Sequence, residues 1–234
     1  MTAGLDAHAA CALYIAKNPV NSDLINRSVN LRGDELLMSP LPIDPLETLA
    51  RTQALILYLI MRLFDSDSRT RAAADNIVPV LETAGFALLN HIDWDMTAAS
   101  AQATELVLYP LASTRNFWDT WIFQESARRT FLITFFFIQV YRLLSRQWPL
   151  HCDGKLELCH AWTFSAHLWQ AQDAFDFAVA WRDQNHFVVT NADFTEVLGN
   201  AKADDVDEFG KIFIAAILGI DEAKGWLYTR GTSL

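Results

Sequence analysis

Cysteine is scarce. Three residues, Cys11, Cys152 and Cys159, are too few to staple a chain of 234 residues, which excludes a disulfide-framed scaffold and points to a reducing compartment. Basic charge is also in deficit, with 18 Lys and Arg against 28 Asp and Glu and a formal net charge of −10. Such a surface repels a phosphate backbone unless its cations gather in one patch, and the only adjacent basic pair is Arg128-Arg129, inside an apolar stretch. Direct nucleic-acid binding by this chain is therefore not expected. Long hydrophobic runs are missing too: Phe131 to Tyr141 is broken by Thr134 and Gln139 and falls short of the roughly 20 residues that span a bilayer. The first residues show neither a charged region followed by an apolar run nor an Arg-rich amphipathic pattern, so no secretory or transit peptide and no membrane association are expected. Glycine-rich phosphate loops, a nucleophile elbow and paired-histidine helix motifs are absent, and no cofactor or metal is expected.

What is present is apolar and helical in its periodicity. Hydrophobic residues make up 52% of the chain, enough for a sizeable core. An Ala-rich helix is expected over Leu5 to Lys17 and a short one over Asn21 to Asn30, opening at Ser22, before the proline-rich loop 39–45. From Pro45, with Asp44 as cap, Leu46, Leu49, Ile56, Ile60 and Leu63 mark one helix face. A second helix, Ser68 to His91, carries Ile77, Leu81, Leu88 and Leu89, with Pro79 as an expected kink. A modest helix over Ser100 to Ser113 precedes the longest signal, which starts at Asn116 with Asp119 completing its cap. There Trp118, Trp121, Ile122, Glu125, Arg129, Phe136, Val140 and Leu144 share a broad face, and beyond Thr130 nearly every side is apolar, as in a central helix. Asp153-Gly154 marks the one plausible hairpin, between His151 and Phe164. Ser165 then caps a helix running to Trp181 with Leu168, Phe175 and Val179 on one side. Another helix begins near Asp204, buries Phe209, Ile212, Phe213, Ala216 and Ile217 and closes at Gly219, and a last one follows over Asp221 to Thr229. No repeat or linker divides the chain. The expectation is a single all-α domain over residues 1–234, built around the long apolar helix, with the first 44 residues least defined and one short β-hairpin.

Four blocks carry a family resemblance. Pro45-Leu46-Glu47-Thr48-Leu49-Ala50-Arg51-Thr52-Gln53-Ala54-Leu55-Ile56-Leu57-Tyr58 with Arg62-Leu63-Phe64-Asp65 resembles the C-terminal homology region of fungal zinc-cluster transcription factors. So do Trp118-Asp119-Thr120-Trp121-Ile122 with Glu125 to Thr130, Leu168-Trp169-Gln170-Ala171, and Asp205 to Gly210 with Gly225-Trp226-Leu227, in family order. The resemblance implies an all-helical regulatory region that tunes transcription of a metabolic or secondary-metabolite pathway through a protein partner, a second copy or a small hydrophobic effector, in nucleus or cytoplasm. The six-cysteine zinc cluster through which that family binds DNA has no counterpart here, because Cys11 stands alone until Cys152.

The candidate site residues each have a structural reading beside the functional one. Trp118, Trp121, Arg128 and Arg129 suit a pocket for a flat anion, or else a tryptophan-packed helix with a Glu125–Arg129 pair four residues apart. Trp169, Asp173 and Asp176 fall on one face of the helix from Ser165, so two carboxylates would meet an aromatic wall, an environment suited to acid–base work. A solvated acidic edge explains them equally. His151-Cys152 and Cys159-His160 are symmetric about a centre just past the Asp153-Gly154 turn, but strand neighbours point to opposite faces, which argues against a shared metal ion. Were the scaffold instead a recruited cyclase or isomerase for a hydrophobic natural-product intermediate, Glu125, Arg129, His167 and Asp173 would be its candidate polar groups.

Overall fold

The computed structural model describes residues 2–65, 67–94, 106–145 and 161–231. The architecture is helical with one two-stranded antiparallel sheet. In chain order the elements are α1 (Thr2–Ile15), α2 (Ser22–Met38), α3 (Pro45–Leu63), α4 (Ser68–Ala72), a 3-10 turn (Ala73–Asn76), α5 (Ile77–Leu89) and α6 (Ala112–Leu144). They continue with β1 (Ala161–Thr163), α7 (Ala166–Gln170), α8 (Ala174–Asp183), β2 (Val188–Thr190), α9 (Thr195–Asn200), a 3-10 turn (Ala203–Asp205), α10 (Glu208–Leu218) and α11 (Ile220–Thr229). Two compact units result, one from Met1–Ile92 with Ser126–His151 and one from Asp93–Glu125 with Cys152–Leu234. The hairpin turn Asp153-Gly154, the His151-Cys152 and Cys159-His160 pairs and residues 100–105 of the expected Ser100 to Ser113 helix lie outside the described residues, and residues 106–111 of that expected helix are not helical.

The first unit is built on α3. Asp44 caps it as expected, its carboxylate accepting from Glu47 N at 2.9 Å. The buried face, however, is Ala54, Leu55, Tyr58, Leu59 and Met61, packed with Ala7 and Ala10 of α1, Ile77, Leu81 and Ala84 of α5, and Ile138 and Tyr141 of α6. Leu46 and Ile60, expected inside, are 57% and 36% exposed, because part of the interior is polar: Thr48, Arg51, Thr52 and Arg62 are all buried. Helix α2 runs to Met38, well past the expected Asn30, and Gly33 lies within it. The expected helix from Ser68 is broken at residues 73–76 and resumes at Ile77, which puts Pro79 in the first turn, where its missing N–H goes unneeded and its ring clears the carbonyl four residues back. Among the described residues the Ser68–Leu89 stretch alone has the length and hydropathy of a bilayer span. Its apolar side is spent on the core, through Ile77, Leu81 and Leu88.

Helix α6 starts at Ala112 rather than Asn116, which is already helical and accepts from Thr120 Oγ1 through its carbonyl. Beyond Thr130 its buried positions are Phe131, Leu132, Thr134, Ile138 and Tyr141, while Phe136, Val140 and Leu144 are exposed.

In the second unit β1 pairs with β2, Trp162 opposite Val189. Ser165 caps α7 by accepting from Leu168 N. The expected single helix to Trp181 is interrupted at residues 171–173, and this resets its phase. Phe177 and Trp181 turn inward, and Phe175 is 46% exposed. Asp207 rather than Asp204 caps α10, which buries Gly210, Phe213 and Ile214 and leaves Ile212 and Ile217 exposed. Gly219 closes it at a φ of 85°, a conformation that favours glycine.

Candidate functional site

The second unit concentrates aromatic side chains. Trp121 of α6 is 4% exposed, and its ring lies 5.2 Å from Trp169, 5.1 Å from Phe177 and 6.4 Å from Trp181. Trp118, one turn earlier, packs against Phe177 at 6.2 Å. These separations are those of tilted and edge-to-face pairs, which favour the ring quadrupoles and fix the rings' directions. The indole nitrogens of Trp121 and Trp162 are buried without a hydrogen-bond partner, a cost the aromatic packing has to outweigh. Trp181 also stacks on His186, centroid to centroid at 4.2 Å, and its carbonyl accepts from His186 Nε2 at 2.8 Å. Burial pulls the His186 pKa down against that hydrogen bond, so this imidazole is neutral at pH 7. Sequence reasoning passed over His186, since only the chain reversal at Phe187, at a φ of 47°, brings it back onto Trp181.

Trp169 belongs to this cluster and also lines an open cleft of about 440 Å³ with His167, Asp207, Glu208 and Lys211. His167 Nε2 lies 3.2 Å from Asp205 Oδ1, and both groups are partly exposed. The cleft thus offers one aromatic face, one imidazole oriented by a carboxylate, and charged groups of both signs. That is the equipment for holding a small polar molecule with a flat ring, or the side chain of a partner.

The remaining expected site residues are distributed as follows. Asp173 caps α8, one carboxylate oxygen accepting from Phe175 N and Asp176 N at 2.9 Å, and Asp176 stands exposed in the first turn. Trp169 and Asp173 therefore occupy no common helix, and the shared face expected for residues 169, 173 and 176 does not form. Glu125 is fully buried, and its Oε1 accepts from Thr163 N at 2.8 Å and Thr163 Oγ1 at 3.0 Å, which ties α6 to β1. Arg128 and Arg129 fall in the first unit, whereas Trp118, Trp121, Glu125 and Trp169 fall in the second.

The chain is similar to a transcription factor. Transcription factor gsfR2 of Penicillium aethiopicum is 29% identical over 227 residues, covering 95% of this chain and 52% of the relative. This chain spans about half the length of that curated relative. No family model matches the sequence, and no solved structure matches it. The likeness supports the transcription-factor relationship that the four blocks suggested.

Proposed function

We propose that this chain is a helical regulatory region of the kind found C-terminal in fungal zinc-cluster transcription factors, and that it takes up a protein partner or a small effector to control a metabolic or secondary-metabolite pathway. The observation that carries the proposal is the 29% identity to gsfR2 along 95% of the chain. Supporting it is the cleft beside the aromatic cluster, where Trp169 and His167 are the contact residues and Trp121 and Trp118 the wall behind them. Uptake there acts on transcription only if the bound and free states repack differently, since a ligand shifts an equilibrium by no more than its difference in affinity for the two states.

The test is a fusion of this chain to an unrelated DNA-binding domain, read on a reporter promoter. Several-fold activation or repression relative to the DNA-binding domain alone is the expected result, lost on Trp169→Ala in a protein that still melts cooperatively. A reporter that responds to neither fusion removes the regulatory reading. A response unchanged by Trp169→Ala moves the contact away from this cleft.

A further inference from the structure

Helix α2 is apolar on two opposite sides. One side is core, where Ile25, Val29 and Gly33 are buried. On the other side Leu24, Leu31 and Met38 are 73%, 62% and 86% exposed. Seven residues make just under two helical turns, so these three side chains form one outward line along about 20 Å of helix. A surface helix spends its apolar stripe on the core and shows polar residues to water, so this second stripe has no part in holding the unit together.

The charges beside the line are arranged symmetrically. Arg27 follows Leu24 by three residues, and Glu35 precedes Met38 by three. Both are exposed, and neither is engaged in an ion pair among the described residues. Arg32, by contrast, is held by Asp6, and Asp34 by Arg62. The helix is thus balanced about Leu31: Leu24 and Met38 stand seven residues to either side of it, and Arg27 and Glu35 four. Just beyond the helix ends Val20 and Ile43 are exposed as well.

We propose that this face is a two-fold interface on which α2 of a second copy of the chain packs antiparallel, with the symmetry axis at Leu31. Leu31 then meets the partner's Leu31, Leu24 meets the partner's Met38, and Arg27 comes level with the partner's Glu35 at each end. Val20 is carried toward the partner's Ile43. A closed two-fold contact covers the stripe of both copies and leaves no open end. A parallel pair in register would set Arg27 against Arg27 and Glu35 against Glu35, so charge selects the antiparallel arrangement. One helix pair about 25 Å long buries less than the roughly 1,600 Å² of a standard stable interface, so the dimer is reversible, with a Kd on the order of 10–100 µM. The face lies wholly in the first unit and does not depend on the role proposed for the cleft of the second.

The test is sedimentation equilibrium of the whole chain from about 2 to about 500 µM. The weight-average mass should rise from that of one chain toward that of two across this range. Leu31→Glu sets two carboxylates against each other on the axis, so it should hold the chain monomeric, and its melting temperature should match the parent's because the residue is exposed. Arg27→Glu should raise the Kd tenfold or more, and Arg27→Glu combined with Glu35→Arg should recover threefold or more of that loss. A chain still monomeric at the top of the range, a dimer indifferent to Leu31→Glu, or a charge exchange that recovers nothing would each overturn the proposal. A dimer that behaves as expected beside a silent reporter fusion retains this interface and removes the regulatory reading instead.

Discussion

Replacing Asp65 with asparagine should loosen the first unit, and it should do so in a pH-dependent way. The side chain is fully buried between α3 and α4, and it accepts from Tyr14 Oη at 3.0 Å, from Lys17 Nζ, and from Asp67 N at 2.8 Å. One carboxylate thus ties the end of α3 to α1 and to the start of α4. Burial by itself would raise the Asp65 pKa. The hydrogen bonds from Lys17, Asp67 N and Tyr14, with the Lys17 charge, outweigh burial and hold the pKa below the ordinary carboxylate range. A depressed folded-state pKa means that the unfolded chain takes up the proton first. The stabilisation is therefore complete above the unfolded value of about 3.9 and is lost as pH falls through the folded one. Asparagine keeps the shape and one acceptor but leaves Lys17 without its counter-charge. Hydrogen bonds to a charged group are worth about 1.5–3 kcal/mol each, and Lys17 retains some solvent, so Asp65→Asn should cost about 2–4 kcal/mol at pH 7. For a unit of this size that is a fall of roughly 10 °C in melting temperature. All the tryptophans except Trp148 fall in the second unit, so far-UV circular dichroism, not tryptophan fluorescence, should follow the change. The parent should lose stability more steeply than the variant as pH falls below about 4. Equal melting temperatures at pH 7, or parallel acid limbs, would refute the assignment.

Gly33→Ala should destabilise the first unit although alanine is the better helix former by about 1 kcal/mol, because its Cβ would come within 2.6 Å of Arg62 Nη2 and displace a guanidinium held on two sides. A urea midpoint equal to or above the parent's would show that Arg62 moves freely. Gly210→Ala should cost about 1–3 kcal/mol in the second unit, since its Cβ would meet Val206 Cγ1 at 2.5 Å and the buried Phe164 ring at 2.8 Å; tryptophan-monitored urea melts will show this as a lower midpoint, and an unchanged one would refute it. Glu125→Ala removes the acceptor that the Thr163 N–H and hydroxyl share, so a loss of about 2–4 kcal/mol in the same assay is expected, and a loss under about 0.5 kcal/mol would show that water replaces the carboxylate.

Features of the fold that were legible in the sequence are those decided within one turn of chain. Asp44, Ser165 and Gly219 announce helix ends by their own chemistry, and each sits where it was expected. Features that depend on distant residues were not. Helix α2 continues past Asn30 because Gly33 admits Arg62, a residue of another helix, to close approach. The break at residues 171–173 is set by Asp173 acting as a cap, and an aspartate in mid-pattern reads equally as a surface residue. Strand β1 is paired with β2 across two intervening helices, a non-local choice with no periodic signature. Of the candidate site, Trp121 and Trp169, named in separate groups, lie in one aromatic cluster, while the carboxylates Glu125 and Asp173 hold backbone N–H groups.

The buried cations show most clearly what periodicity hides. Apolar spacing on α3 selects Leu46 and Ile60 as core positions and reads Arg51 and Arg62 as solvated, yet the structure buries both arginines and exposes the two aliphatic residues. An arginine is tolerated inside only when its donors are met, so its burial is decided by what other helices bring to it. For Arg62 they bring Asp34 and the Asn30 carbonyl; for Arg51 they bring one serine oxygen. Identical side chains on one face of one helix thus carry different meanings. The compensated cation is architecture, so Arg62→Met should lower the stability of the first unit by removing the guanidinium bonds to Asp34 and to the Asn30 carbonyl. Arg51 meets no carboxylate among the described residues, so Arg51→Met should leave the first unit as stable as the parent or more so. A melt in which Arg51→Met falls as far as Arg62→Met would show that Arg51 is architecture as well.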